Sequence, residues 1–327
     1  FTRHPTAYQV ERSRFDDILL RHAADCGVEV CEGTGVDRVS TEADGVTVFP
    51  ESGPPVRARF LVDATGRSNL TGNQEGLKIP NAHLRKLAIF AHYENVRLDP
   101  GNPGGDTVIV RQETHWFWLI PLRRDGADRG KVSVGAVLDR DAFARSGGDG
   151  PALLARLIDE CPPVKARLAQ ATRVSEIRVT SDFSYRNARL WSPRCARAGD
   201  AAGFIDPIFS SGVYMAMHSG RAAAEAIEEG LSRGHDASAA LARYEERVLA
   251  AMRIYQEMVD GFYTKPFMEL FLEPRAKWGL AAAVNAILAG ELEGGWKLRW
   301  RMRLFFWLVR IQSGFPLVPR FSFAPAP

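Results

Sequence analysis

Cysteine is scarce and scattered. Cys26, Cys31, Cys161 and Cys195 are the four in 327 residues, none forms a C-x-x-C pair, and no histidine cluster lies beside them. A zinc site is therefore not expected, and no metal is assigned. Long apolar runs are missing too: nothing approaches the roughly 18 residues of a membrane span, and Phe1-Thr2-Arg3-His4-Pro5 lacks the apolar centre of a secretory leader. With the unpaired cysteines, this points to a reducing, cytoplasmic setting. Charge of one sign is also short. The formal net charge is only +3, too dilute for a nucleic-acid surface, so no nucleic-acid partner is expected. Repeats and low-complexity linkers are absent. What is present is an ordinary globular composition, 46% hydrophobic and 25% charged, with length for one large core or two domains.

The pattern along the chain predicts a helix over residues 13–26, with Ser13 as its cap, Phe15, Ile18, Leu19 and His22 along one side, and Gly27 as its stop. Short strands are expected at Val28 to Cys31, Gly35 to Val39, Val46 to Phe49 and Arg57 to Val62, with Asp44-Gly45 turning a hairpin. A β-rich region follows, with strands at Leu87 to Tyr93, Thr107 to Arg111, Trp116 to Pro121 and Lys131 to Leu138, and polar turns at Gly101 to Gly105 and Arg123 to Gly130. Pro151 to Gln170 reads as one helix and Ser175 to Arg186 as strand. From Ser211 onward helices dominate, over Ala237 to Gly261 and Trp296 to Gln312 among others, and the tail Phe321 to Pro327 is expected to fray.

Two segments carry chemistry. Phe60-Leu61-Val62-Asp63-Ala64-Thr65-Gly66-Arg67-Ser68 is an apolar strand ending in an acid, a small residue and a glycine, an end that lets backbone approach a phosphate or ribose. Alone, it also fits a plain strand-to-loop turn. Ala198-Gly199-Asp200-Ala201-Ala202-Gly203-Phe204-Ile205-Asp206-Pro207-Ile208-Phe209-Ser210-Ser211-Gly212 is a small-residue loop running into a helix, whose first N–H groups favour an anion or a flavin carbonyl oxygen.

In this order, separated by a β-rich insert, the pair resembles the FAD-dependent monooxygenase superfamily of the p-hydroxybenzoate hydroxylase type, in which both segments wrap FAD. The resemblance implies FAD contacts from Asp63, Thr65 and Gly66 and from Gly199, Asp200, Pro207 and Gly212. The segment Tyr8 to Asp16 is similar to the stretch before the family's second FAD helix, which adds Gln9 and Arg12; a solvated arginine at a helix start satisfies the pattern at Arg12 equally well. The implied fold is α/β: a p-hydroxybenzoate-hydroxylase-like FAD-binding fold with an inserted antiparallel sheet and a helical C-terminal region. Expected divisions are a partial FAD-binding domain over 1–80, a β-rich substrate domain over 81–195, a return to the FAD domain over 196–230 and C-terminal helices over 231–327. The family's G-x-G-x-x-G fingerprint is not in the chain. The expectation is that it lies upstream of the position matching Phe1, so that an N-terminally truncated body carries half of the FAD site.

His115-Trp116-Phe117-Trp118-Leu119-Ile120-Pro121 reads W-x-W-x-I-P and resembles the signature of flavin-dependent, tryptophan-halogenase-like enzymes. Asp206 to Gly212 is similar to the version in halogenases of phenolic or pyrrole substrates, often tethered to a carrier protein. This resemblance implies FADH2 supplied by a separate flavin reductase, a flavin C4a-hydroperoxide, and chloride or bromide converted to hypohalous acid. Trp116 and Trp118 would wall the flavin from the substrate, and backbone N–H groups at Ser211 and Gly212 would hold the halide. Alternation alone also puts two such indoles in a core. A hydroxylase, a geranylgeranyl-reductase-like saturase or a non-catalytic binding module remain alternatives. His218 reads as a structural helix histidine. The basic, aromatic stretch Trp296 to Arg310 is expected to pack on the body with its arginines snorkelling, rather than to meet a membrane or an acidic carrier.

Overall fold

The computed structural model describes residues 8–99, 106–122, 130–181, 184–232, 236–273, 277–292 and 295–322. Two compact units share the chain. One contains residues 6–32 and 82–183, the other residues 33–81 and 184–322.

In the first unit, β-branched and aromatic residues build a six-stranded antiparallel sheet. Its path runs Thr172–Arg173, Lys86–Glu94, Lys131–Asp139, His115–Leu122, Val108–Arg111, and Arg178–Ser181 also pairs with Lys86–Glu94. Strand alternation sends Leu87, Ile89, Phe117, Leu119 and Val134 to one face, where they pack with Leu154 and Val164 of two helices. Those helices, Gly150–Asp159 and Pro162–Leu168, replace the single helix expected over 151–170. Pro162-Pro163 supplies no N–H and restricts Cys161, which sits at φ −119° and ψ 89°, outside the helical region. Asp149 caps the first by accepting from Ala152 N at 3.0 Å.

The N-terminal helix spans Arg12–Asp25 with Glu11, not Ser13, at its N-cap position, and it buries none of its residues. Its expected apolar side is therefore not a core face. Val28 to Cys31 forms no strand. The expected turn Gly101 to Gly105, most of Arg123 to Gly130 and the end of the tail lie outside the described residues.

The second unit holds three small sheets. Val36–Thr41 and Val46–Pro50 form the expected hairpin, extended by Val56–Ala58. The stretch expected as one strand from Arg57 to Val62 divides, because Leu61–Asp63 leaves to pair in parallel with Cys195–Arg197. Ser175 to Arg186 divides likewise: Arg178–Ser181 stays with the first unit, while Tyr185–Asn187 pairs with Lys78–Pro80 and Gly203–Phe204. The helices Gly212–Ser232 and Ser238–Phe262 pack on each other through Ala222, Ala223, Ala226, Leu241 and Tyr244. The alanines allow that close approach. Two helices follow that the sequence pattern did not single out, Lys265–Leu272 and Leu280–Leu288, and then Gly295–Gly314. This last helix meets the expectation of packing on one face only. Leu298, Met302 and Phe305 are buried, while Trp296, Trp300 and Trp307 are exposed. Among the described residues, no helix is long and apolar enough to cross a membrane.

Candidate functional site

The site begins where two parallel strands end. Asp63 stands opposite Arg197 in the register, so Leu61–Asp63 and Cys195–Arg197 release their chains at the same edge. Ala198 N donates to Asp63 O at 2.9 Å. Each chain then turns tightly, through Gly66–Ser68 and Gly199–Ala201, and the two turns lie against each other. A cofactor beyond the carboxyl ends of parallel strands is the general placement in open α/β sheets.

Asp63 organises the first turn. It is 2% exposed. Its Oδ1 accepts from Thr65 N at 3.0 Å and Thr65 Oγ1 at 2.6 Å. Its Oδ2 accepts from Thr71 N at 2.8 Å and Thr71 Oγ1 at 2.6 Å. Burial pushes the carboxyl upward, but these bonds outweigh it and leave the group below its ordinary value. A carboxylate has about four acceptor positions, and all are used inside the chain. Asp63 thus shapes the turn that displays Thr65 and Gly66.

The second turn is tied to the first by buried amides. Asn69 Nδ2 donates to Asn187 Oδ1 at 2.9 Å, and Asn187 Nδ2 donates to Asn69 Oδ1 at 3.0 Å and to Ala201 O at 2.8 Å. Gly199 sits at φ +59°, and a Cβ there would lie 3.3 Å from the Ala216 methyl on the Gly212–Ser232 helix. Its N–H donates to Ser219 Oγ at 2.8 Å. Asp200 is half-buried beside it, and its carbonyl accepts from Tyr185 Oη. Farther on, Asp206 accepts from Ile208 N at 3.0 Å and from Tyr263 Oη at 3.0 Å, holding the Pro207–Phe209 turn. Ser210 adopts a left-handed φ of +51°, and the long helix opens at Gly212.

Gly66, at φ +63°, and Gly212 have no atom within 4 Å of where a Cβ would project. A turn whose Gly66 faces open space, and a 21-residue helix that opens on Gly212 with its first-turn N–H groups, are a donor set suited to the phosphates, ribityl chain and ring carbonyls of a flavin dinucleotide. Asn69, Asn187, Ser219 and Tyr263 escaped the sequence reading. Each is a lone polar residue with no local pattern around it.

In the other unit, Trp116 and Trp118 share one face of His115–Leu122, with ring centroids 5.9 Å apart. Trp116 is 1% exposed. Trp118 donates from Nε1 to Ser133 Oγ at 3.1 Å and crosses Gly135, where a Cβ would come within 2.3 Å of the indole. Gln9 and Arg12 belong to this unit as well. Gln9 is exposed, and Arg12 makes a two-pronged exposed pair with Asp16 at 2.9 and 2.8 Å.

His115 points to the Phe117 side, edge-on at 5.3 Å. Burial, and then the Arg111 cation, push its imidazole down to about 4. A depressed folded value favours the neutral ring, so this stability is complete above the ordinary 6.5 and is lost as pH falls toward 4. The expected loss over that window is about 2 kcal/mol. His115→Gln should remove this part of the pH dependence when urea midpoints are compared at neutral pH and near pH 4. Equal slopes in variant and wild type would refute it.

A cavity of about 490 Å³ lies among the C-terminal helices, lined by Leu270, Phe271, Leu280, Val284 and Phe305, with Asn285 as a polar wall group. Phe271 of the cavity wall meets Phe209 of the glycine loop at 6.5 Å between ring centroids, so the wall and the loop adjoin. Its size and lining suit a small, largely apolar ligand.

The profile of the tryptophan halogenase family matches residues 2–268. The chain belongs to the tryptophan halogenase family. Among curated proteins it is 29% identical over 266 residues to a 1H-pyrrole-2-carbonyl-(peptidyl-carrier protein) brominase of Pseudoalteromonas luteoviolacea, covering 79% of this chain and 64% of that one. It is 31% identical over 255 residues to the flavin-dependent halogenase rdc2 of Metacordyceps chlamydosporia, covering 68% and 47%. The chain thus spans about half to two thirds of the length of such relatives. The solved flavin-dependent brominase Bmp2 superposes with a TM-score of 0.82 at 27% identity, over 94% of this chain and 76% of that one. The myxobacterial chondrochloren halogenase CndH, an FAD-dependent halogenase, gives 0.72 at 29% identity, over 94% and 77%. The fold is therefore that of the FAD-dependent halogenases, with its inserted sheet and C-terminal helices.

Proposed function

We propose that this chain is the FAD-binding body of an FADH2-dependent halogenase acting on a phenolic or pyrrole-like aromatic substrate, free or tethered to a carrier protein. The observation that supports it most is the meeting of the Asp63 and Gly199 turns at the ends of adjacent parallel strands, in a chain that matches the halogenase family over residues 2–268.

Thr65, Gly66, Gly199, Asp200, Pro207 and Gly212 hold the flavin dinucleotide, with Gln9 and Arg12 as further contacts. Bound and reduced by a separate flavin reductase, the flavin supplies, with oxygen, the oxidising power that turns chloride or bromide into hypohalous acid. The N–H groups at Ser211 and Gly212 hold the halide, since the first turn of a helix offers donors without intrahelical acceptors and a positive dipole end. Trp116 and Trp118 exclude the substrate from direct contact with the flavin. The cavity beyond Phe209 receives the apolar body of the aromatic substrate.

Incubating the intact protein with FAD, NADH, a flavin reductase, oxygen, bromide and a phenol trap is expected to yield brominated phenol. Hydroxylated phenol alone, or substrate-stimulated NADH oxidation without any reductase, would reject the halogenase reading in favour of a hydroxylase.

A further inference from the structure

The helix Gly295–Gly314 carries Lys297, Arg299, Arg301, Arg303 and Arg310 and no Asp or Glu. Its five cations exceed the net +3 of the entire chain, so positive charge is concentrated here. Leu298, Met302 and Phe305 fix which side faces the core. At about 100° per residue, Trp296, Trp300 and Trp307 fall within roughly 40° of one another on the side opposite that core, with Arg299, Arg303 and Arg310 in a row beside them. The three tryptophans are 69%, 50% and 54% exposed. Trp278, 61% exposed, is held to the same helix by Arg301 Nε donating to its carbonyl at 3.1 Å. Phe315, the next residue past the helix, is 68% exposed. A helix that merely faced water would place polar groups opposite its core; here that pole is a line of indoles.

We propose that this face rests on the anionic surface of a membrane, the helix lying in the plane with its indoles at headgroup level and its arginines on lipid phosphates. The charge pattern selects the occupant. A second copy of the chain would bring two acid-free arginine rows together, and like charges in contact repel. A ridge of indoles on the convex side of a helix projects outward, and a fluid interface moulds to such a ridge. Tryptophan favours the boundary between apolar and wet surroundings, and each cation adds attraction to anionic lipid. The inference does not rest on the flavin reading.

Flotation of the intact protein with vesicles tests it. In low salt the protein should rise with equimolar phosphatidylcholine and phosphatidylglycerol, with blue-shifted tryptophan emission, and stay behind with phosphatidylcholine alone. The triple variant Arg299→Gln, Arg303→Gln, Arg310→Gln should partition roughly a hundredfold more weakly. The triple variant Trp296→Ser, Trp300→Ser, Trp307→Ser should lose flotation and blue shift while keeping its circular dichroism, because these side chains lie outside the core. Failure of the wild type to float with anionic vesicles overturns the proposal, as does a tryptophan variant that floats undiminished. So does capture of a purified acidic carrier-protein domain, lost in that same variant, by a protein that ignores vesicles.

Discussion

Asp63→Asn is expected to lower stability by about 3–4 kcal/mol and to weaken flavin binding at least about tenfold. The wild-type carboxylate is buried, and each oxygen accepts one backbone N–H and one hydroxyl. Asparagine offers one carbonyl oxygen and one NH2. Whichever way it turns, the NH2 faces a backbone N–H, from Thr65 or from Thr71, and that buried donor goes unpaired. The hydroxyls can rotate to accept from the new amide; the backbone cannot. The turn that displays Gly66 then loses its anchor. The acid response supplies a second signature. Because the folded carboxyl lies below its ordinary 3.8, its contribution is complete above that value and is lost as pH falls through the folded value. Asp63→Asn should lack this acid-sensitive share. Urea denaturation across pH and flavin fluorescence titration measure both effects; a change below about 1 kcal/mol, with unaltered flavin affinity, would show that the turn does not depend on the carboxylate.

Asn187→Ala is expected to cost about 2–4 kcal/mol. It leaves the Asn69 amide without its buried partner on both sides and removes the bond to Ala201 O. The loss falls on the joint between the Asp63 and Gly199 turns, so under the proposed flavin reading the flavin affinity should drop with stability. Asn69→Ala adds a backbone penalty of about 1–2 kcal/mol, because residue 69 holds φ +48° and asparagine tolerates that region better than alanine. Removing both partners of a buried hydrogen bond costs less than stranding one. The double variant should therefore fall short of the sum of the singles by about 1–3 kcal/mol in a double-mutant cycle. Additive losses would mean the amide pair carries no coupling.

Local pattern was enough for elements whose chemistry is local. Richness in β-branched and aromatic residues located Lys86–Glu94, His115–Leu122 and Lys131–Asp139 to within about one residue at each end, and strand alternation put Trp116 and Trp118 on one face. The order of the Asp63 and Gly199 segments, read with the W-x-W strand, was enough to recognise the FAD-dependent halogenase resemblance that the family match bears out. Pro151 to Gln170 reads as one helix, although Pro162-Pro163, where the structure divides it, lies within that stretch.

Tertiary structure decided the rest, because it depends on which distant segments meet. Arg57 to Val62 looks like one strand, yet its second half leaves for Cys195–Arg197, a pairing that no window of neighbouring residues contains. Asn69 and Asn187 stand 118 positions apart, and nothing near either one marks it as half of a pair. The Asp63 segment stood out in the sequence as a candidate; that the carboxylate oxygens are spent inside the chain required the fold. The same holds for the C-terminal helix. Its tryptophans and arginines were plain to read, but only packing on Leu298, Met302 and Phe305 settled which side is left facing outward. Sequence by itself determined the family and those elements whose pattern is local and uninterrupted, such as Lys86–Glu94, His115–Leu122 and Ser238–Phe262, since side-chain period and motif are properties of adjacent residues. Which groups converge, which are consumed internally and which remain exposed are properties of chain closure, and the folded structure alone set them.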